Sequence, residues 1–134
     1  MFVDAAAIVA ILAGEAEAGR CSRAIADSDA CFTSPVAVWE AVMALARADK
    51  LALPLDLSEA LVTRFLEERD ISLRDFPPTR ETVSLSLEAA RRFRTGAYRL
   101  NLADCLHYAC ARHYGAPMLS TADEFRFTDL VTVR

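Results

Sequence analysis

A single lysine, Lys50, and two histidines, His107 and His113, are all that the chain holds of those residue types, and each scarcity excludes a class of function. A phosphoacceptor signalling domain needs a lysine late in the chain and an acidic pair after its first strand, and neither is present. An aspartyl-phosphate phosphatase needs a second Asp two residues after the first, where this chain has Ala6. The two histidines stand six residues apart, which fits neither a helical zinc pair nor a finger. Cys21, Cys31, Cys105 and Cys110 form no C-x-x-C pair and have no histidine at zinc-site spacing, so they read as reduced thiols acting as small apolar side chains. No basic segment precedes the apolar run Ala5–Ala13, and no run approaches the roughly 20 apolar residues of a membrane span. The expectation is a soluble, cytoplasmic protein with no membrane partner. There is no repeat, linker or low-complexity segment, so residues 1–134 are expected to form one domain. A net charge of −4 and a pI near 5.1 argue against holding nucleic acid by bulk charge.

What is present is an alternation of short β-type runs with longer helical ones, the pattern of a parallel sheet covered by helices. Strands are expected at Met1–Asp4, Ala30–Thr33, Ile71–Leu73, Pro117–Ser120 and Leu130–Val133. Helices are expected at Ala5–Leu12, Glu15–Asp27, from Ser34-Pro35 to about Lys50, from Asp56 to about Asp70, and from Arg80 to Arg94. A last helix is capped by Asn101 and runs to His113. Ser34 supplies an N-cap with proline at the first helical position. Asn101 with Asp104 resembles a capping box, flanked by Leu100 and Cys105 at staple positions.

Certain carboxylates are conspicuously alone. Asp4 is the only charged side chain before Glu15, and Glu40 the only one between Asp29 and Arg47; Asp104 is the only formally charged one between Arg99 and Arg112. The hydrocarbon run from Val36 to Ala46 predicts a helix apolar on every face around Glu40, hence largely buried. A buried carboxylate is costly unless it is paired or metal-bound, and no Lys or Arg lies within a turn of it. Taken singly, Asp4 reads equally as a helix cap, Asp104 as a dipole partner and Asp123 as a turn residue. Taken together, Asp4 ends a strand, Asp123 follows one, and Asp104 and Glu40 lie early in helices. In a parallel sheet those positions share the edge where ligands bind. Four carboxylates gathered there repel one another, and a hard oxygen-seeking cation such as Mg²⁺ or Mn²⁺ resolves the conflict.

Phe2-Val3-Asp4-Ala5, Glu40 within Ser34-Pro35-Val36-Ala37-Val38-Trp39-Glu40, Leu100-Asn101-Leu102-Ala103-Asp104-Cys105, and Leu119-Ser120-Thr121-Ala122-Asp123-Glu124-Phe125 with Thr128-Asp129 together resemble a PIN domain, and more narrowly the VapC-type toxins of bacterial toxin–antitoxin pairs. The resemblance spans nearly the whole chain. It implies a three-layer α/β/α sandwich with a mainly parallel central sheet and a Mg²⁺- or Mn²⁺-dependent endoribonuclease. It also implies dimerisation and a cognate antitoxin. Residue by residue, it makes Asp4, Glu40, Asp104 and Asp123 the acidic quartet that binds metal and catalyses. Two departures stand out. Ala6 occupies a position where the family often has Ser or Thr, and Ala122-Asp123-Glu124-Phe125 differs from the usual Gly-Asp/Asn-Asp-Phe, leaving Asp123 or Glu124 to face the metal.

On this reading Asp4 and Asp104 chiefly hold the principal ion, Glu40 and Asp123 hold waters or a second ion, and a metal-activated water attacks the phosphodiester. Positive charge for RNA is expected in Arg91, Arg92, Arg94, Tyr98 and Arg99, which lie in a stretch without acids. Arginine forks suit phosphates and a tyrosine suits an unpaired base; complementing a helix C-terminus is the plainer role for the first three. The stretches Ala5–Ala13 and Leu51–Leu66 offer either core packing or a groove for an antitoxin helix. The competing reading is a catalytically weak PIN-like module that binds a partner protein or RNA without cleavage.

Overall fold

The computed structural model describes residues 1–133. Five short strands, β1 (Phe2–Val3), β2 (Cys31–Thr33), β3 (Ile71–Leu73), β4 (Met118–Leu119) and β5 (Thr132–Val133), form one parallel sheet in the order β3-β2-β1-β4-β5. The connections carry helices α1 (Ala5–Leu12), α2 (Ala18–Ala26), α3 (Pro35–Leu45), α4 (Leu55–Glu68), α5 (Thr79–Phe93) and α6 (Leu102–His113). The result is the α/β/α sandwich expected from the alternation. Strands of such a sheet are covered on both faces and read as unbroken apolar pairs. Phe2, Val3, Met118 and Leu119 accordingly have no exposed surface. Among the described residues no helix is long and apolar enough to cross a membrane.

Local chemistry fixes the ends that matter. Ser34 Oγ accepts the amide of Ala37 at 3.2 Å, with Pro35 opening α3. Asn101 Oδ1 accepts the Asp104 amide at 3.0 Å, while Asp104 Oδ2 accepts the Asn101 amide at 2.7 Å, a complete capping box at the start of α6. Asp4 caps α1, with its carboxylate accepting from Ala6 N. From β1 the chain steps outward through β2 to β3, then returns to β1's other side for β4 and β5. The carboxyl ends of β1 and β4 therefore flank the topological switch point of the sheet, the usual place for a ligand crevice.

Two expectations are corrected, and one that was left open is divided. Helix α3 stops at Leu45 rather than near Lys50, its last turn giving way to turns through residue 51. Its apolar stretch is not buried on every face, since Trp39 is 63% and Met43 40% exposed. Ala5–Ala13 lies mostly in the core through Ala5, Ala7, Ile8, Val9 and Ala10, whereas Leu51, Leu55 and Leu57 are exposed. The four cysteines are free and buried.

Candidate active site

Asp4 is 4% exposed, and its fold leaves it few partners. Ser120 Oγ donates to Asp4 Oδ2 at 2.7 Å across the switch point, from the residue just after β4. The Ala6 amide reaches the same oxygen at 3.4 Å. Asp4 Oδ1 lies 3.6 Å from Nε2 of His107, a wholly buried imidazole on α6. That same nitrogen is 2.7 Å from Glu40 Oε2 on α3. His107 thus stands between the two carboxylates and supplies the partner that Glu40 lacks on its own helix. Its Nδ1 is buried without a partner among the described residues. The contacts therefore assign the proton to Nε2, donated to Glu40. Burial by itself pulls the imidazole pKa down, but the bond to Glu40 and the charges of Asp4, Glu40 and Asp104 outweigh it and hold it above its ordinary value.

Asp104 completes the group from the first turn of α6. Burial pushes its carboxyl above the usual carboxylate range; the bond from Asn101 N opposes this, the charges of Asp4 and Glu124 add to it, and His107 offsets part. Asp4, Glu40, Asp104 and Glu124 line one cleft of about 610 Å³, open to solvent beside Trp39 and Met43. Two cationic side chains also line it, but Arg47 is committed to Asp49 at 2.7 Å and Lys50 to Glu15.

Asp123 does not line this cleft. After β4, Ser120 Oγ accepts the Ala122 amide at 3.0 Å, and a 3₁₀ turn follows at Glu124–Phe127. This turn carries Phe125 into the core, sets Glu124 on the cleft wall, and leaves the Asp123 side chain 52% exposed, 2.7 Å from Arg126 Nη1. Of the four acids expected from the sequence, Asp4, Glu40 and Asp104 come together. At the fourth place on the wall stands Glu124, the alternative to Asp123 that the sequence left open.

Sequence reasoning weighed His107 only as a zinc ligand. The signal that finds it is its position three residues after Asp104, on the same face of a helix, in a run otherwise free of charge. Ser120 carried no comparable signal, because its role depends on β4 lying beside β1.

A hard divalent cation fits this donor set chemically. All four of these acids offer oxygen ligands, and among the described residues none is paired with Lys or Arg. Among the described residues no three such side chains converge on a single point, since Glu40 is turned onto His107 and Asp104 onto Asn101 N.

The arginine stretch divides in two. Arg92 Nη1 is held by Glu88 at 3.0 Å and Asp129 at 2.9 Å, and Tyr98 stacks on Phe127 with centroids 4.4 Å apart. Arg91, Arg94 and Arg99 instead line a second hollow that shares Asn101 with the acidic cleft.

Residues 1–130 match the PIN domain family. A VapC ribonuclease of Mycobacterium bovis is 31% identical over 133 residues, covering 97% of this chain and 96% of the relative. One from Rhizobium meliloti is 32% identical, covering 96% and 98%, and a ribonuclease VapC of Mycolicibacterium smegmatis is 30% identical, covering 99% of both. Among solved structures, Mycobacterium tuberculosis VapC20, described as a sarcin-ricin loop cleaving toxin, superposes with a TM-score of 0.76 over 99% of this chain and 98% of its own, at 18% identity.

Proposed function

Since the chain belongs to the PIN domain family, and within it to the VapC ribonucleases, we propose that it is a Mg²⁺- or Mn²⁺-dependent endoribonuclease acting as the toxin of a toxin–antitoxin pair. The observation that carries this reading is the buried Asp4 carboxylate at the sheet's switch point, sharing one cleft with Glu40, Asp104 and Glu124.

Asp4 and Asp104 would hold the principal ion, with Glu40 and Glu124 completing its shell or holding its waters. Bound there, the ion supplies an acidified water and neutralises charge on the phosphoryl oxygens. The chain's own side chains prepare that place. Ser120 Oγ and Ala6 N fix one Asp4 oxygen and leave Oδ1 facing the His107 side of the cleft. His107 Nε2 keeps its proton toward Glu40 Oε2 and holds that side chain beside Asp4. The amino ends of α1 and α6 direct their dipoles toward the negative groups gathered there. Because Ser120 supports Asp4, the Ala6 departure does not strip that carboxylate of a hydroxyl partner, which favours a working enzyme over a silent module.

The same reading carries an antitoxin protein and a second copy of the chain as partners. The exposed Trp39 and Met43 at the cleft mouth offer the antitoxin an apolar seat, and co-purification with the product of the adjoining reading frame tests it. Light scattering of the pure protein tests the dimer, a monomer mass at every concentration being contrary.

The activity itself is tested by incubating mixed RNA with wild-type and Asp4→Asn protein in Mg²⁺, Mn²⁺ or EDTA. Cleavage is expected from the wild type with metal only. The variant is expected to lose more than about a hundredfold, beyond what removing a supporting group costs. Equal cleavage by both proteins, or none by either in both metals, overturns the reading.

A further inference from the structure

Three of the chain's fifteen basic side chains gather at a hollow whose described lining contains no carboxylate. Arg91 and Arg94 stand at the end of α5, and Arg99 comes from beyond the following loop, yet all three line one hollow of about 700 Å³. The loop is built to bring Arg99 back. It reverses at Gly96, whose φ of +87° disfavours residues with a side chain. It closes where the buried Leu100 donates its amide to Phe93 O at 3.0 Å. Among the described residues Arg91, Arg94 and Arg99 make no ion pair or hydrogen bond, while Arg92 in the same helical turn is fully engaged by Glu88 and Asp129. Completing the dipole of α5 accounts for arginines in its last turn, but not for a third arginine folded back from beyond the loop. Three guanidiniums that never lose their charge, lining one hollow, offer an anion several donors at once. The hollow adjoins the acidic cleft, since Asn101, the cap of the helix that carries Asp104, lines both.

We infer that Arg91, Arg94 and Arg99 form a phosphate-binding subsite for the RNA strand next to the scissile bond. This rests on the nuclease reading and deepens it. Negative charge repels RNA at the catalytic cleft until a cation is bound, and the neighbouring arginine hollow supplies the strand with attraction that does not depend on that cation. Arginine forks grip non-bridging oxygens without reading bases, so the subsite sets where the strand lies and not which base is cut. Tyr98 and Phe127 stack on each other at 4.4 Å outside this hollow and are no part of it.

The test has two arms. In the first, fluorescence anisotropy measures binding of a labelled oligouridylate across a salt series, in the Asp4→Asn background so that the strand stays intact. Adding Arg91→Gln, Arg94→Gln and Arg99→Gln together is expected to lower the slope of log affinity against log salt by about 2, at roughly 0.7 per phosphate contact on a single strand. Oligoadenylate should lose the same amount. Arg64→Gln, far along the chain on α4 and paired with Glu68, should change neither, and circular dichroism should show all variants folded. In the second arm, the three changes in an otherwise wild-type chain should raise KM for RNA cleavage in Mg²⁺ and leave kcat near its wild-type value. Unchanged slope and KM would overturn the subsite while leaving the nuclease reading intact, whereas no cleavage by the wild type overturns both. A polyglutamate peptide bound by the wild type and not by the triple variant, with RNA binding unaltered, would assign the hollow to an acidic protein partner and overturn the inference.

Discussion

His107 and Ser120 decide how the acidic side chains stand. A buried carboxylate needs a donor, and Asp4 finds one in Ser120 Oγ at 2.7 Å, while the half-buried Glu40 is held by His107 Nε2 at 2.7 Å. Replacing Ser120 by Ala leaves Asp4 with the distant Ala6 amide and with His107 Nε2 at 3.6 Å, and RNA cleavage in Mg²⁺ is expected to fall by about 10–100-fold, the usual cost of losing a group that orients a ligand. An unchanged rate would show that Asp4 needs no such support. The paired acids near the chain's end separate sharply. Glu124→Gln is expected to cost at least about tenfold, and Asp123→Asn, which disturbs only the exposed pair with Arg126, less than about a factor of two. The reverse order would restore Asp123 to the site. Asp4, Glu40 and Asp104 were legible in the sequence because each is isolated among apolar residues. The choice between Asp123 and Glu124 was not, because a 3₁₀ turn one residue long or short exchanges which side chain faces inward.

Helix α6 joins the site to the rest of the molecule. One face carries Asp104 and His107 to the cleft. On it, Tyr108 also donates its hydroxyl to Asp129 Oδ1 at 2.9 Å, and Asp129 in turn holds Arg92 of α5. Burial, then the bond and charge of Asp129, push the Tyr108 phenol up to about 12, against the opposing charges of Arg112 and Arg92. Its folded pKa thus lies above the ordinary 10, so the fold favours the neutral phenol. The stability this contributes is complete below about pH 10 and is lost as pH rises through about 12. Ultraviolet titration should show one tyrosine ionising near pH 12, absent from Tyr108→Phe; a titration identical in the two proteins would remove the strut. Asp129→Ala leaves a buried hydroxyl unpaired and should lower unfolding free energy by about 1–3 kcal/mol in urea. The capping box of α6 and the Ser34-Pro35 start of α3 were readable from local chemistry alone. The exposed apolar face of α3 was not, because burial depends on what the rest of the chain covers, and the described residues leave Trp39 63% exposed.

At the scale of the whole molecule, topology does what composition does not. A net charge of −4 is spread so that four acids line one cleft at the switch between β1 and β4, and three arginines without an ion pair among the described residues line the hollow beside it. The alternation of strands and helices was legible because each parallel strand is a short apolar block between helical periods. The strand order was not, and it is the order that sets Ser120 against Asp4. All four cysteines lie in the packed interior, with Cys110 raised to about 12 by burial. The native protein should therefore resist a thiol reagent that labels four groups once it is unfolded, and rapid labelling of the native form would contradict the packing. The central claim, that distant carboxylates meet to hold a hard dication, is tested most directly by Mn²⁺ titration followed calorimetrically, without RNA. The expected result is a site in the wild-type protein that weakens at least about tenfold in both Asp4→Asn and Asp104→Asn and is untouched by Asp123→Asn. Mn²⁺ binding of equal strength in the wild type and in those two variants would contradict it.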